Sequence, residues 1–333
     1  MPATIRQLRG TAKLKSWSCD DTDQGCAPFM RWCFAKEVFA GDTFEVEGNY
    51  DFGKSEEGSL VFPSGSRDSP ANVIGMADAT LKSGILSDLY GSAFVVWNTR
   101  LTNLRLVEAT LTPNEDGRCL GFDIENKAGM KLRPGVDLSV GPSATVDKCN
   151  IVASAWGIYS WFDYPITLQV NNSGIASARL GLAMCASGSK PQNTSVQRTN
   201  FIIETSRSND YGATSGSWGG GIAAVYKNGY HSLTDCTLNL NWTKPATAAE
   251  KFPAPRCVGI ACEFDEDKAP IGHSPPQADT KIVVHNLVVN LNPGTADKAQ
   301  CYDIDLQNPN VRKNLKLQGV NYGSGEFRTM RIR

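Results

Sequence analysis

Two short patterns recur and interleave along the chain, and this recurrence constrains the fold more than any other feature. The first is a glycine or another small residue followed by alternating apolar positions, as in GFDIE at 121, GIYSW at 157, GLAMC at 181, GIAAV at 221, GIACE at 259 and CYDID at 301. The second is an apolar strand with a polar turn residue, as in LTNLRLVE from 101, VDKCNIVA from 146 and VQRTNFII from 196. Alternating apolar positions predict β-strands, so each repeat contains a pair of short strands.

The spacing of the first pattern favours an all-β solenoid. Its successive starts lie 36, 24, 40, 38 and 42 residues apart. A propeller blade needs four strands in about 40 to 45 residues, so the 24-residue step is too short for a propeller and suits a solenoid coil. The longer steps then carry loops rich in Gly, Ser and Pro, at 187–195, 206–220, 243–256 and 265–279.

Asparagines in the second pattern predict sharp corners between strands. Four of them directly precede an apolar residue: Asn103, Asn150, Asn200 and Asn286. Asparagine is favoured at such corners because it tolerates the left-handed backbone conformation.

Composition excludes some classes of protein. The formal charge of −1 gives no electrostatic case for binding nucleic acid or an anionic membrane surface, and no stretch of about 18 apolar residues could span a bilayer. The N-terminal segment has no apolar signal-peptide region, which predicts a protein made in a cytoplasm and kept there or released by a route such as virion assembly. In that setting the ten scattered cysteines are expected to be buried free thiols, and no zinc site is predicted.

The N-terminal region has a recognisable order of elements. An amphipathic pattern predicts a short helix near residues 21–36, followed by a glycine turn at 40–42 and a strand at 43–47. The segments WSCDDTDQGCAPFMRWCFAKEVFAGDTFEVEGNYDFG (17–53) and NVIGMADATLKSG (72–84) resemble the leading part of pectate-lyase-like right-handed parallel β-helices, including phage tailspikes. Gly48 and Tyr50 match the G-x-Y ending of the first strand in that superfamily.

This resemblance implies a right-handed, single-stranded parallel β-helix with a short N-terminal capping helix. It implies a single domain over residues 1–333, with 1–53 as the cap and leading segment and 54–333 as coils with inserted loops. The phage members also imply a homotrimer. Activity does not carry over, because the glycine-histidine-glycine and paired-aspartate motifs of the pectin-hydrolysing members are missing from this sequence.

Stacking the glycine-led strands in one parallel sheet predicts which side chains point outward. Ile158 and Phe162 are expected inside, and Tyr159, Trp161 and Asp163 outside. The first outward column contains Asp123, Tyr159, Ala183, Ala223, Ala261 and Asp303. The second contains Glu125, Trp161, Cys185, Val225, Glu263 and Asp305. Alanines then form a shallow floor, and carboxylates gather at both ends of it.

Aromatic rings beside paired acids on a groove floor predict a polysaccharide site, because rings stack on sugars and carboxylates accept hydrogen bonds from hydroxyls. Glycoside hydrolysis needs two carboxylates about 5 to 9.5 Å apart. We expect Asp163 with Glu125 or Asp123 to be the catalytic pair. Glu263 and Asp265 are further catalytic candidates, with Asp303 and Asp305 behind them. The expected substrate-binding residues are Tyr159, Trp161, Trp218, Lys227 and Arg256.

Two other functions remain open. A polysaccharide lyase would need a cation beside the uronate carboxylate, a role open to Lys227, Arg256 or Lys127, but no base stands out. A non-catalytic binding module, such as a phage tail adhesin, is the alternative outside enzymes. No cofactor or metal is predicted; the DDTD run at 20–23 is interpreted as a helix N-cap rather than a calcium site.

Overall fold

The structure is a computed structural model of the whole chain. It describes residues 4–13, 16–17, 38–55, 60–85, 94–107, 111–112, 141–153, 156–160, 165–177, 180–185, 191–204, 222–227, 229–241, 257–262, 280–292, 301–306, 315–322 and 328–332.

The described residues form β-strands and contain no helix. The first twelve strands are β1 (Ile5–Lys13), β2 (Ser16–Trp17), β3 (Thr43–Ser55), β4 (Leu60–Val61), β5 (Ala71–Ile85), β6 (Phe94–Val95), β7 (Thr99–Thr102), β8 (Arg105–Val107), β9 (Leu111–Thr112), β10 (Ser143–Asp147), β11 (Asn150–Val152) and β12 (Trp156–Ser160). The others are β13 (Ile166–Asn171), β14 (Gly174–Ser177), β15 (Leu180–Cys185), β16 (Gln192–Gln197), β17 (Asn200–Glu204), β18 (Ile222–Lys227), β19 (Tyr230–Asn241), β20 (Cys257–Cys262), β21 (Lys281–Asn292), β22 (Cys301–Leu306), β23 (Leu315–Tyr322) and β24 (Arg328–Ile332).

These strands form two sheets, and every pairing between described strands is parallel. The larger sheet has fifteen strands, and its order β5-β7-β10-β13-β16-β19-β17-β14-β11-β8 closes into a ring because β8 also pairs with β5. The smaller sheet has nine strands in the order β24-β22-β20-β18-β15-β12-β9-β6-β4. The all-β prediction is therefore confirmed for the described residues.

A unit of three strands repeats along the chain. The large sheet has two arms: β7, β10, β13 and β16 form the first arm, and β8, β11, β14 and β17 form the second. In one unit β13 lies on the first arm, β14 lies on the second arm, and β15 lies in the small sheet. The units before and after it, β10–β12 and β16–β18, pair with it strand for strand. Ser143 pairs with Thr167, 24 residues later, so the shortest repeat is the length that the glycine-led pattern predicts.

A column of left-handed residues marks the corner between the two arms of the large sheet. The φ angle is positive at each of them: Asn103 (55°), Lys148 (54°), Asn172 (49°), Arg198 (47°), Asp235 (55°) and Asn286 (52°). The ladder of hydrogen bonds between units continues through the corner. The backbone N–H of Asn172, for example, donates to the carbonyl oxygen of Gln197 in the next unit over 3.0 Å. The asparagine prediction is right for Asn103 and Asn286. Asn150 and Asn200 instead lie two residues beyond the corners at Lys148 and Arg198.

Alternation along the strands builds the core. On the first arm of the large sheet, every second residue is fully buried, and these residues stack in one apolar column: Leu101, Val146, Val170, Val196, Leu233 and Val284. Burying a side chain of this size contributes about 1.5 to 3 kcal/mol. The residues between them face away from the core, which makes the outer surface of this arm hydrophilic.

The N-terminal predictions are tested in part. The turn is present, with Gly41 at a φ of 77°, and β3 begins at Thr43 as expected. The capping helix predicted near residues 21–36 lies outside the described residues. No helix long and apolar enough to cross a membrane occurs in the part of the chain that the structure describes.

Candidate functional site

A shallow groove of about 360 Å³ lies on the outer surface of the first arm of the large sheet. It crosses four neighbouring strands, β7, β10, β13 and β16, and the corner that follows them. Its lining is entirely hydrophilic: Arg100, Thr102, Thr145, Asp147, Gln169, Asn171, Asn172, Gln197 and Arg198. We call this site the corner groove.

The strand pairing explains why these side chains meet. Arg100 pairs with Thr145, which pairs in turn with Gln169, so the three side chains stack in one outward column. Thr102, Asp147, Asn171 and Gln197 form the neighbouring column in the same way. Paired strands lie about 4.8 Å apart, so the groove extends about 14 Å from β7 to β16.

Hydrogen bonds fix the corner side of the groove. The Nδ2 group of Asn172 donates to Oδ1 of Asp147 over 2.8 Å. The Oδ1 atom of Asn172 accepts a hydrogen bond from Nε of Arg198 over 2.6 Å. Because the two ends of one amide have different partners, the orientation of Asn172 is determined and both charged neighbours are held in place.

Most of the site residues predicted from the sequence lie outside the described residues. These are Asp123, Glu125, Trp161, Asp163, Trp218, Arg256, Glu263 and Asp265. Lys227 is the last residue of β18, where it pairs with Cys185. The roles assigned to these residues stay predictions.

Tyr159 lies on β12 in the small sheet and is only 7% exposed. As predicted, it alternates with Ile158, which belongs to the main core. Tyr159 instead belongs to a separate buried cluster with Leu180, Ala183, Val225, Val258, Ala261 and Tyr302. The expected open alanine floor is therefore wrong at Ala183 and Ala261, which are both buried; whether Tyr159 contacts a sugar stays a prediction.

The register also differs from the expectation in this sheet. Val225, not Ala223, pairs with Ala183, and Ala223 belongs to the main core. The sequence contained a signal for this burial, because β15, β18 and β20 are apolar at nearly all positions, as is typical of parallel strands covered on both faces.

Asp303 is the one predicted acid whose environment is described. It lies on β22 and is 4% exposed, and this burial raises the pKa of its carboxyl from 3.8 to about 6. Asp305, two residues later, pairs with Ala261. Within the described residues, no group of three or more His, Cys, Asp or Glu side chains is arranged to hold a metal ion.

Sequence reasoning missed the corner groove, although a signal was present. The segments SATVDK (143–148), TLQVNN (167–172) and TSVQR (194–198) alternate strictly and place only polar residues on the outward side. The aromatic and acidic side chains that predicted a site lie on the glycine-led strands instead. No family model, curated protein or solved structure matches the chain.

Proposed function

We propose that the chain is a right-handed parallel β-helix whose outer surface binds a polysaccharide. The three-strand unit, the parallel pairing of successive units and the corner column support the helical part of this proposal. In such a solenoid each unit adds the same surface to the next, so the binding surface is long and narrow. That shape suits an extended polymer better than a compact small molecule.

The corner groove carries the proposal for a glycan. Seven of its nine lining residues bear hydroxyl, amide or carboxylate groups, and Thr, Asn and Gln side chains both donate and accept hydrogen bonds. Sugar hydroxyls have the same double character. A length of about 14 Å across the strands gives room for more than one sugar ring.

Affinity measurements with a panel of bacterial and algal polysaccharides test this proposal. We expect at least one to bind, and expect Gln169→Ala and Asn171→Ala each to weaken binding about threefold to tenfold, as the loss of one hydrogen bond predicts. Gln318→Ala is the matched control. Gln318 is exposed and lies on β23, where it pairs with His285, so this variant removes an amide from the first arm at a position outside the groove. Absence of binding to every glycan, or equal effects of the three variants, would contradict the proposal.

Cleavage of a glycan at the small sheet, separate from the corner groove, is the second candidate function, and Asp303 on β22 favours it. A buried carboxyl that keeps its proton up to about pH 6 has the property required of a general acid in glycoside hydrolysis. Asp305 follows on the same strand, and the pair of Asp163 with Glu125 or Asp123 remains the prediction from sequence. Hydrolysis is preferred, and a lyase is the alternative.

Product analysis separates these possibilities. Hydrolysis releases new reducing ends, whereas elimination yields an unsaturated uronate that absorbs in the ultraviolet. We expect Asp163→Asn, Glu125→Gln or Asp303→Asn to abolish product formation while binding persists. If the bound glycan stays intact, the protein is a non-catalytic module of the adhesin type.

A homotrimer, which the tailspike resemblance implies, predicts a sedimenting mass three times the 36.0 kDa of one chain.

A further inference from the structure

The corner groove lies in a positively charged part of a slightly acidic protein. The described segments that form it, 99–107, 143–152, 166–177 and 192–204, contain four cationic side chains and two carboxylates, which leaves a charge of +2. The cations are Arg100, Arg105, Lys148 and Arg198, and all four are exposed. The chain as a whole has a formal charge of −1. The positive charge of this region therefore reflects a scarcity of carboxylates, two in 44 residues against 34 in the 333 of the whole chain, rather than a concentration of cations.

Neither arginine of the groove has its charge neutralised by a described carboxylate. No ion pair within 4.0 Å joins Arg100 or Arg198 to an acidic side chain among the described residues. Arg198 uses its Nε to bond the neutral Oδ1 of Asn172, which leaves its Nη groups for another acceptor. Asp147 faces the Asn172 amide rather than a guanidinium.

We propose that the corner groove binds an anionic polysaccharide, with one carboxylate or sulfate group at Arg100 and another at Arg198. This inference rests on the proposed glycan-binding function and specifies its ligand. A guanidinium binds such groups through two parallel hydrogen bonds, which favours arginine over lysine at the two ends. The two arginines lie three strand steps apart, which is about 14 Å across the strands, and Arg198 is three residues beyond Ser195, the residue in register with Arg100. A polymer with repeated charges can therefore engage both arginines and a single anion cannot.

The lining of the groove favours a glycan over a nucleic acid. Single-stranded nucleic acids are bound largely by aromatic rings that stack on the bases, and none of the nine lining residues is aromatic. Aromatic rings also stack on sugars, but the hydroxyls of a glycan can be bound by hydrogen bonds alone. Between the arginines the groove instead presents threonine hydroxyls, the amides of Gln169, Asn171, Asn172 and Gln197, and the Asp147 carboxylate, which accepts a hydrogen bond from Asn172. These groups match the hydroxyls of the sugar units between two charged groups.

The test compares dextran, carboxymethyl-dextran and dextran sulfate of equal chain length, so that only the charged group differs. We expect one or both anionic forms to bind at least tenfold more tightly than dextran in 50 mM salt, and this preference to shrink in 200 mM salt as the charges are screened. Whichever derivative binds more tightly identifies carboxylate or sulfate as the preferred group.

Variants assign the effect to the two arginines. Arg100→Gln and Arg198→Gln are each expected to weaken binding of the anionic dextran about fivefold, and to weaken binding of uncharged dextran by a smaller factor. Lys316→Gln is the control of equal charge change, because Lys316 is exposed and pairs with Val283 on the same arm outside the groove. Circular dichroism and the melting temperature confirm that each variant is folded.

Three results would overturn the inference. If the anionic dextrans bind no better than dextran while some polysaccharide of the wider panel binds, the charge specificity is wrong and the glycan-binding proposal stands. If no polysaccharide binds at all, the proposed function itself fails. If an oligothymidylate of equal charge binds more tightly than both anionic dextrans and is weakened by the two arginine variants, the groove is a nucleic-acid site.

Discussion

The Nε group of Arg198 donates to Oδ1 of Asn172 over 2.6 Å, so a corner residue of one unit is bonded to the corner residue of the next. Asn172 also has a φ of 49° and donates to Asp147 over 2.8 Å. Asn172 thus adopts the left-handed conformation of the corner, and its side chain joins three successive units. Its exposure to solvent shows that this arrangement is at the surface, where a ligand can reach it.

Replacing Asn172 by alanine is expected to lower the free energy of unfolding by about 1 to 2 kcal/mol. The loss combines the cost of a left-handed Cβ-bearing residue with the loss of two exposed hydrogen bonds. Asn172→Gly is the matched control, because glycine adopts this φ without strain but also lacks the side-chain bonds. Urea denaturation measures both variants. If the alanine and glycine variants are equally stable, backbone strain at the corner contributes nothing.

Gly181→Ala is expected to destabilise the fold by about 1 to 3 kcal/mol or more. A Cβ at Gly181 would lie 2.5 Å from the Ala223 carbonyl oxygen and 2.6 Å from Cδ1 of Phe201, and both are held by the packed sheets. Gly174→Ala is the control. There the new Cβ would meet the Oδ1 of Asn150 at 2.7 Å, and this side chain can rotate away. A chemical denaturation curve for Gly181→Ala that matches the one for Gly174→Ala would contradict the tight packing between units.

Much of the large sheet could be predicted from the sequence because its alternation is strict. Leu101, Val146 and Val170 are buried, and their neighbours are polar, so the inward face follows from the pattern alone. The corners were harder to locate. Asn103 and Asn286 fit the preference of asparagine for a left-handed backbone, but Lys148 and Arg198 adopt it too, since the ladder of inter-unit hydrogen bonds fixes the corner whatever residue occupies it.

The small sheet could not be interpreted correctly by alternation. The alternation places Ile158 and Tyr159 on opposite faces of the small sheet, as the structure has them. It does not tell whether the face that carries Tyr159 is exposed to solvent or covered by other residues. Ala183, Val225 and Ala261 are compatible with a shallow groove or with a second packed layer. Burial on the second face depends on chain segments distant in sequence, and no local pattern encodes that.

The buried contact between Thr194 and His231 is expected to stabilise the interior. Oγ1 of Thr194 and Nδ1 of His231 are 2.9 Å apart, and the imidazole stacks on Tyr226 with 4.3 Å between ring centroids. Thr194→Val keeps the shape but removes the hydroxyl, so we expect a loss of about 1 to 3 kcal/mol in the free energy of unfolding. Thr237→Val is the control, because it makes the same change at a half-buried position on β19. Equal effects of the two variants in urea denaturation would show that the hydroxyl at 194 contributes nothing specific.

The burial of Asp303 predicts a characteristic dependence of stability on pH. Its carboxyl has a pKa of about 6 in the folded protein and 3.8 when unperturbed. Below pH 3.8 both states are protonated, and the residue has no differential effect. As the pH rises from about 3.8 to 6, the unfolded state loses the proton first, so the free energy of unfolding falls. Above pH 6 both states are ionised, and the buried carboxylate lowers the free energy of unfolding by a constant amount of about 3 kcal/mol or less.

Asp303→Asn removes this ionisation while it keeps the size of the side chain. We therefore expect the variant to be more stable than the parent protein at pH 7 by about 1 to 3 kcal/mol, and the two to converge near pH 4. Urea denaturation at four pH values between 4 and 7 measures the difference directly, and other titrating groups cancel because both proteins share them. A difference that is independent of pH, or that grows towards pH 4, would mean that the Asp303 carboxyl is ionised in the folded protein throughout this range.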